Sequence, residues 1–295
     1  MMMILCVVTS IVLLATLTTA AVDDTCMRYG LDIDQPGASC SDIYGKNPNI
    51  QDQSGYYLIK TDHLFLAHCD KEDNGWMKVV DFDASRGDKC PTGWTGITVN
   101  NIRMCRSSSN SAGCYSTTFS VNGTRYRKIR GKLRGYQKYS TDGFYSSKST
   151  SINDGKSTSI NDAYADGISI TIGNPRRHVW TYAAGLSDEH NSPQRNCPCA
   201  AVPGPTPPSF VGEYYYCESG NTGGWENIYY TDDPLWDGAG CVHPNNNCCT
   251  NAGLPWFIRE FPIAQNDDIE VRICTDGNYS TNEAVLVDQL KLYVQ

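Results

Sequence analysis

After its first twenty residues the chain has no apolar run long enough to cross a bilayer, which takes about 20 predominantly apolar residues. It is also poor in charge. Only 19% of its 295 residues are Asp, Glu, Lys or Arg, against about 25% in an ordinary domain. Basic residues are the minority, 24 against 32 acidic ones, and the net charge is -8, so nucleic acid is not the expected partner. Histidine is scarce at five residues, which argues against a zinc centre built from paired Cys and His ligands. No Ser or Cys nucleophile with a paired base stands out, and no EF-hand spacing occurs. The expectation is therefore a protein that is not an enzyme and carries no cofactor, with calcium the one ion to consider.

The chain opens with a leader. Residues 1–20 are uncharged, Ile4 to Leu17 is an apolar core of secretory length, and Thr18-Thr19-Ala20 supplies small residues for cleavage after Ala20 or Ala21. The start lacks Lys or Arg, but the competing reading, a membrane anchor, needs a longer run of roughly 20 residues. The expected localisation is secreted and extracellular, with no membrane span. Of 14 cysteines, Cys6 leaves with the leader. In an oxidising compartment the remainder read as a disulfide framework. Their odd number leaves at least one free or bonded to another chain, so a disulfide-linked oligomer is also open. Tyrosine is abundant at 18 residues, and its amphipathic ring suits exposed strands and binding faces.

The clearest local pattern is Asp166–Gly185. Ile168, Ile170 and Ile172 alternate with Ser169 and Thr171, the pattern of a half-buried strand. Gly173-Asn174-Pro175-Arg176 breaks it, and Val179-Trp180-Thr181-Tyr182 reads as a second strand, making a hairpin. Other expected strands are Tyr57–Ile59, His63–His68, Met77–Phe82, Phe210–Cys217, Trp256–Phe261, Ile269–Cys274 and Ala284–Val294, the last with a short helix as the alternative. Asp232–Cys249 reads as loop, Val22–Ala38 as a loose lead-in tied by Cys26, and Ala200–Phe210 as a proline-rich connector. Lys148–Ala163 holds a tandem polar octapeptide, KSTSINDG then KSTSINDA, an exposed-loop duplication and not a solenoid. The class is all-β: a disulfide-rich β-sandwich-like domain with long loops.

Several motifs are candidates for chemistry. Cys197-x-Cys199 and Cys248-Cys249 have metal or redox readings, though structural disulfides fit the composition better. Arg86-Gly87-Asp88, beside Cys90, is an RGD triplet that would serve cell attachment. In Arg125–Gln137, Lys128, Arg130, Lys132 and Arg134 share one face of a strand, a surface for a polyanion, while Ile129 and Leu133 share the other. Two acidic runs, Asp232-Asp233-x3-Asp237 and Asn266-Asp267-Asp268-x-Glu270, are the calcium candidates. His178, beside Arg176 and Arg177, is the most site-like histidine, and a structural hydrogen-bonding role fits it better than catalysis. Asn122-Gly123-Thr124 and Asn278-Tyr279-Ser280 fit the N-glycosylation pattern.

Two resemblances add to this. Cys40, Ser54-Gly55-Tyr56-Tyr57-Leu58-Ile59, Cys69-Asp70 and Gly75-Trp76 resemble the opening segment of fibrinogen-like domains, in which the first two cysteines pair, implying Cys40 with Cys69. The later calcium- and ligand-binding parts of that family have no match. Asp166–Ile170, Gly173-x-Pro175-Arg176-x-His178-x-Trp180-Thr181-x-Ala183-Ala184, Tyr216–Ser219, Pro234–Gly238 with Gly240-Cys241, Pro255–Phe257 and Asp268–Cys274 resemble a secreted domain of cnidarians, sponges and other marine invertebrates, similar to uncharacterised proteins of the coral skeletal organic matrix. That family brings no activity. Together they imply a leader over 1–20, a lead-in and fibrinogen-like segment over 21–89, and a cysteine-rich β domain over 90–295. The expected function is a secreted, non-enzymatic extracellular matrix glycoprotein, with a place in biomineralisation, and the alternative is a lectin-like glycan-recognition protein.

Overall fold

The computed structural model of the chain describes residues 29–50, 52–108, 113–139, 141, 143, 166–185, 209–218, 228–237, 256–275 and 283–295. The expected leader, Cys26, the octapeptide repeat, Cys197, Cys199, Cys241, Cys248, Cys249 and Asn278 lie outside these residues.

The first element is one that strand alternation does not reveal. Helix α1, Cys40–Lys46, starts at Ser39, whose hydroxyl accepts from the Asp42 amide at 3.1 Å. Asp42 sits in the first turn, where the helix dipole favours an acid, so Ser39-x-x-Asp42 is its sequence signal. Strands β1 (Gly55–Lys60), β2 (Leu64–Asp70) and β3 (Trp76–Asp83), where short strands were expected at Tyr57–Ile59, His63–His68 and Met77–Phe82, form an antiparallel meander. β4 (Trp94–Val99) and β5 (Ile102–Ser107) are a hairpin turning on Asn100 and Asn101 at φ 49° and 64°, the left-handed pair that matches strand twist. β6 (Gly113–Phe119) follows, then the long β7 (Tyr126–Lys138) carrying the basic stretch.

β8 (Gly167–Ile172) and β9 (Arg177–Ala184) are the hairpin expected in Asp166–Gly185. The strand β8 is not half-buried, however: all six of its residues are buried. It is central in its sheet, and on its second face Thr171 donates to Glu270 at 2.7 Å, so Thr171 is polar because it bonds, not because it meets water. Gly167, at φ 139°, has no room for a Cβ against the Tyr182 carbonyl, which is why glycine opens this strand. β10 (Tyr215–Glu218) is shorter than the expected Phe210–Cys217, because residues 209–213 form turns. β11 (Tyr229–Leu235) runs into the stretch expected to be loop. Its register with the partner strand slips between Tyr230 and Leu235, and that irregularity accommodates Pro234. β12 (Phe257–Gln265), β13 (Ile269–Thr275) and β14 (Ala284–Val294) complete the chain, the last a strand and not a helix.

Two sheets result. One has the order β1-β2-β3-β14-β5-β4, with β7 pairing β14 on one edge and β11 and β12 on the other; the second is β10-β9-β8-β13-β6. Residues from both, among them Ile59, Phe82, Leu133 and Leu290 of the first and Ile168, Ile170, Val271 and Ile273 of the second, belong to one buried cluster. β3, ahead of Cys90, pairs with β14 from Met77 to Asp83, and residues from both strands belong to the same buried cluster. Three disulfides staple the fold among the described residues: Cys40–Cys69, the pair implied by the fibrinogen-like resemblance, at a Cα separation of 5.4 Å, Cys90–Cys105 at 5.7 Å and Cys114–Cys274 at 4.1 Å. Cys217 is disulfide-bonded as well. No helix among the described residues is long and apolar enough to cross a membrane.

Candidate binding site

The parallel pair β9 and β10 sets Tyr216 beside Tyr182 and Tyr215 beside Thr181. Period-two alternation puts Trp180 on the same face of β9 as Tyr182. Across from them, Trp256 and Phe257 enter from the start of β12, and Glu213 precedes β10. These residues line a cavity of about 170 Å³. The rings fix one another. Trp180 stacks on Phe257 at 5.1 Å and 17°, and meets Tyr214 edge-on at 6.2 Å. Tyr182 contacts Tyr216, Phe257 and Trp236 edge-on at 6.4, 6.1 and 5.6 Å. Trp236 is itself locked, its indole donating to the Ala183 carbonyl at 2.9 Å, and Gly135 on β7 leaves the space that its ring occupies. Trp180 Nε1 is buried and has no hydrogen-bond partner among the described residues. The site thus offers aromatic ring surface and one carboxylate. That combination can hold a ligand with apolar C–H faces and polar edges, and it contains no paired nucleophile and base.

His178 lies on the flank. Its Nε2 shares a hydrogen with Thr181 Oγ1 at 2.9 Å, and its ring meets Phe210 edge-on at 6.0 Å. Burial, and then the positive charge of Arg259, push its pKa down to about 4, so the ring is neutral at physiological pH. Arg259 stacks on Tyr214, 3.2 Å from the ring centroid.

The other sequence candidates fall elsewhere. Lys128, Arg130, Lys132 and Arg134 share a face as expected, but two are already engaged. Arg130 pairs with Asp70 at 3.2 Å and Glu72 at 2.9 Å, and lies over Trp76, Trp256 and Tyr293. Arg134 grips the buried Asp288 through Nε at 3.1 Å and Nη2 at 2.6 Å. Lys132 sits over Trp256 at 5.2 Å. In the RGD triplet Arg86 pairs with Asp88 at 2.7 Å and with Asp81 at 3.1 Å, and Asp88 accepts the Asp83 amide. The triplet is folded onto itself, and a receptor would have to part this pair to use both charges. Asn122 heads a turn at φ 53° with its sequon Thr124 buried and donating to Met77.

The acidic runs differ. In the second, Arg176 donates to Glu270 through Nε at 2.7 Å and Nη2 at 3.0 Å, Arg177 pairs with Asp267, and Asp268 accepts from Ser120 and the Val121 amide. In the first, Asp233 and Asp237 lie near Glu218, a fully buried residue whose Oε2 accepts the Trp236 amide at 3.1 Å. Among the described residues no group of three His, Cys, Asp or Glu side chains is arranged to hold a metal ion. The sequence reading missed the aromatic cavity and Glu218. The signals for the former were present in the Tyr214-Tyr215-Tyr216 run and the Trp180/Tyr182 alternation, but not the fold that brings Trp256 to them. No protein-family model matches the chain, and no curated protein matches it.

Proposed function

We propose that the protein is a secreted, non-enzymatic component of an extracellular matrix that recognises glycan, and that the cavity beside Trp180 is its sugar site. The carrying observation is the aromatic lining of Trp180, Tyr182, Tyr215, Tyr216, Trp256 and Phe257, with Glu213 beside it. Sugar rings present C–H faces that pack on Trp and Tyr, and hydroxyls that donate to a carboxylate such as Glu213. The disulfide staples and the uncharged leader support the extracellular setting. The resemblance to marine-invertebrate skeletal matrix proteins makes a skeletal organic matrix the setting to examine first. A net charge of -8 is a weak field for gripping mineral directly, so a glycan scaffold is the better-matched partner.

A glycan array probed with the intact secreted protein, with and without calcium, tests this. Selective binding is expected, and Trp256→Ala is expected to weaken it about tenfold, the worth of one lost aromatic contact. Absence of glycan binding, with the protein found in insoluble extracellular extracts, would move the reading to a purely structural matrix role.

A further inference from the structure

The start of β7 and the residue before it bring together Arg125, Arg127 and Lys128, of which only Lys128 belongs to the alternating basic face. The Arg127 and Lys128 amides both donate to the Gln295 carbonyl, at 2.7 and 2.9 Å, while the Gln295 amide donates back to Lys128 at 3.0 Å. Two residues therefore oppose one, which is a β-bulge. The bulge breaks the strict alternation: Tyr126 and Ile129, three apart, are both buried, and Arg127 and Lys128 between them both reach solvent. With the exposed Arg125 they line one side of an open cleft of about 680 Å³. Trp76, Ser41 and Asn74 line the cleft as well, and Asp73 and Glu260 bring two carboxylates to it. Glu260 stands opposite Lys128 in the β7–β12 ladder. Yet Arg125, Arg127 and Lys128 form no ion pair with any described residue, in contrast to Arg130 and Arg134 farther along the strand.

We infer that this cleft binds a sulfated polysaccharide along the Arg125–Arg127–Lys128 edge. Guanidinium groups bond sulfate oxygens bidentately, and three cations outside any ion pair, against the two carboxylates of Asp73 and Glu260, leave the cleft net positive on a chain that is acidic overall. The cleft is lined by residues other than those of the aromatic cavity, so the inference does not depend on the sugar site.

The test uses the full-length secreted protein and a fluorescent heparin oligosaccharide. Binding at low salt is expected, falling as salt rises. The triple variant Arg125→Gln/Arg127→Gln/Lys128→Gln is expected to bind at least about tenfold more weakly, with the slope of log affinity against log salt reduced by about two to three. A charge-matched control, Lys60→Gln/Lys71→Gln/Lys89→Gln, is expected to change little. Equal losses in the two triple variants, or no binding by the intact protein, would overturn the cleft. A DNA duplex that competes as well as heparin would overturn the polysaccharide assignment. Glycan-array binding in the triple variant reports separately on the aromatic cavity.

Discussion

The two acidic runs lie in different sheets and in opposite electrostatic settings: the Asp267–Glu270 run enters β13 of the five-stranded sheet, and the Asp232–Asp237 run lies in and just after β11 of the other sheet, near Glu218 of β10. Glu270 stands across from Thr171, next to the β8–β9 turn, where that turn delivers Arg176 and Arg177. Burial alone would raise its pKa. Hydrogen bonds from Arg176, Ser116 and Thr171, with the Arg176 charge, reverse this and hold it at about 2. Glu218 stands across from Ala184, at the far end of β9. Burial raises it first, the nearby Asp237 and Asp233 add to that, and bonds from Tyr216 and the Trp236 amide only partly oppose it, leaving it at about 8. Asp233 is pushed up to about 6 by burial and by Asp237. In the sequence both runs look like oxygen ligands awaiting a cation. What distinguishes them is which strands bring arginine, and that is set by sheet order.

The largest test of this contrast is Glu218→Gln. Glu218 binds its proton more tightly folded than unfolded, so its contribution is fully present below the ordinary carboxyl range and is lost as pH rises through about 8. Its share of stability should fall by about 1.4 kcal/mol per pH unit across that window. Glutamine keeps the acceptor for Trp236 and removes the proton. Urea unfolding midpoints of the two proteins should therefore diverge with pH, the variant becoming more stable by about 3–4 kcal/mol near pH 8.5. Parallel pH profiles would show that Glu218 is not held protonated. Next in size is Arg176→Ala, which strands a mostly buried carboxylate and should cost about 2–3 kcal/mol at neutral pH. Adding Glu270→Gln should restore much of that loss, a coupling that a double-mutant cycle reads directly. Glu270 also sets an acid limb of the opposite sign. Its pKa is depressed on folding, so its stabilisation is present above the ordinary carboxyl range and lost as pH falls toward about 2. Allowing for its partial exposure, that limb is worth about 2 kcal/mol and should be missing from Glu270→Gln.

Much of the fold was legible because the residues that make strands are local signals. The isoleucine alternation of β8, the turn at Gly173–Arg176 and the short strands β1–β3 are written in consecutive residues. Helix α1 was hidden by its length of seven residues, too short for periodicity, and only its Ser39 cap marks it. β4 and β5 were overlooked although Asn100-Asn101 is a two-residue turn signal between alternating apolar positions. The burial of Ser169 and Thr171 could not be read, because polar residues inside a sheet layer look like polar residues facing water until their partners, here Glu270 on β13 and its neighbours, are known. The same limit applied to the basic face. Arg130 and Arg134 were indistinguishable from Lys128 in sequence, and the carboxylates that occupy them come from residues 70, 72 and 288. Chemistry that depends on long-range pairing is the part that local pattern does not carry.

The smallest expected effect concerns calcium itself. At the Glu270 end the carboxylates already face Arg176 and Arg177, so a cation has to displace a fixed guanidinium and gains little. At the Asp233 end burial, and then the neighbouring Asp237, raise the pKa of Asp233, and the described residues there do not converge as a three-ligand cage. A site of that kind binds weakly, and at calcium concentrations near its dissociation constant the stabilisation is only about 0.4 kcal/mol, roughly 1 °C in Tm. Calorimetry with millimolar calcium should thus show a shift of about that size, abolished by Asp233→Asn/Asp237→Asn and retained in Asp267→Asn. Loss of the shift in Asp267→Asn instead would mean that calcium competes successfully with Arg177, and the contrast between the two ends would no longer hold. A shift of many degrees that survives both changes would place the ion away from either run.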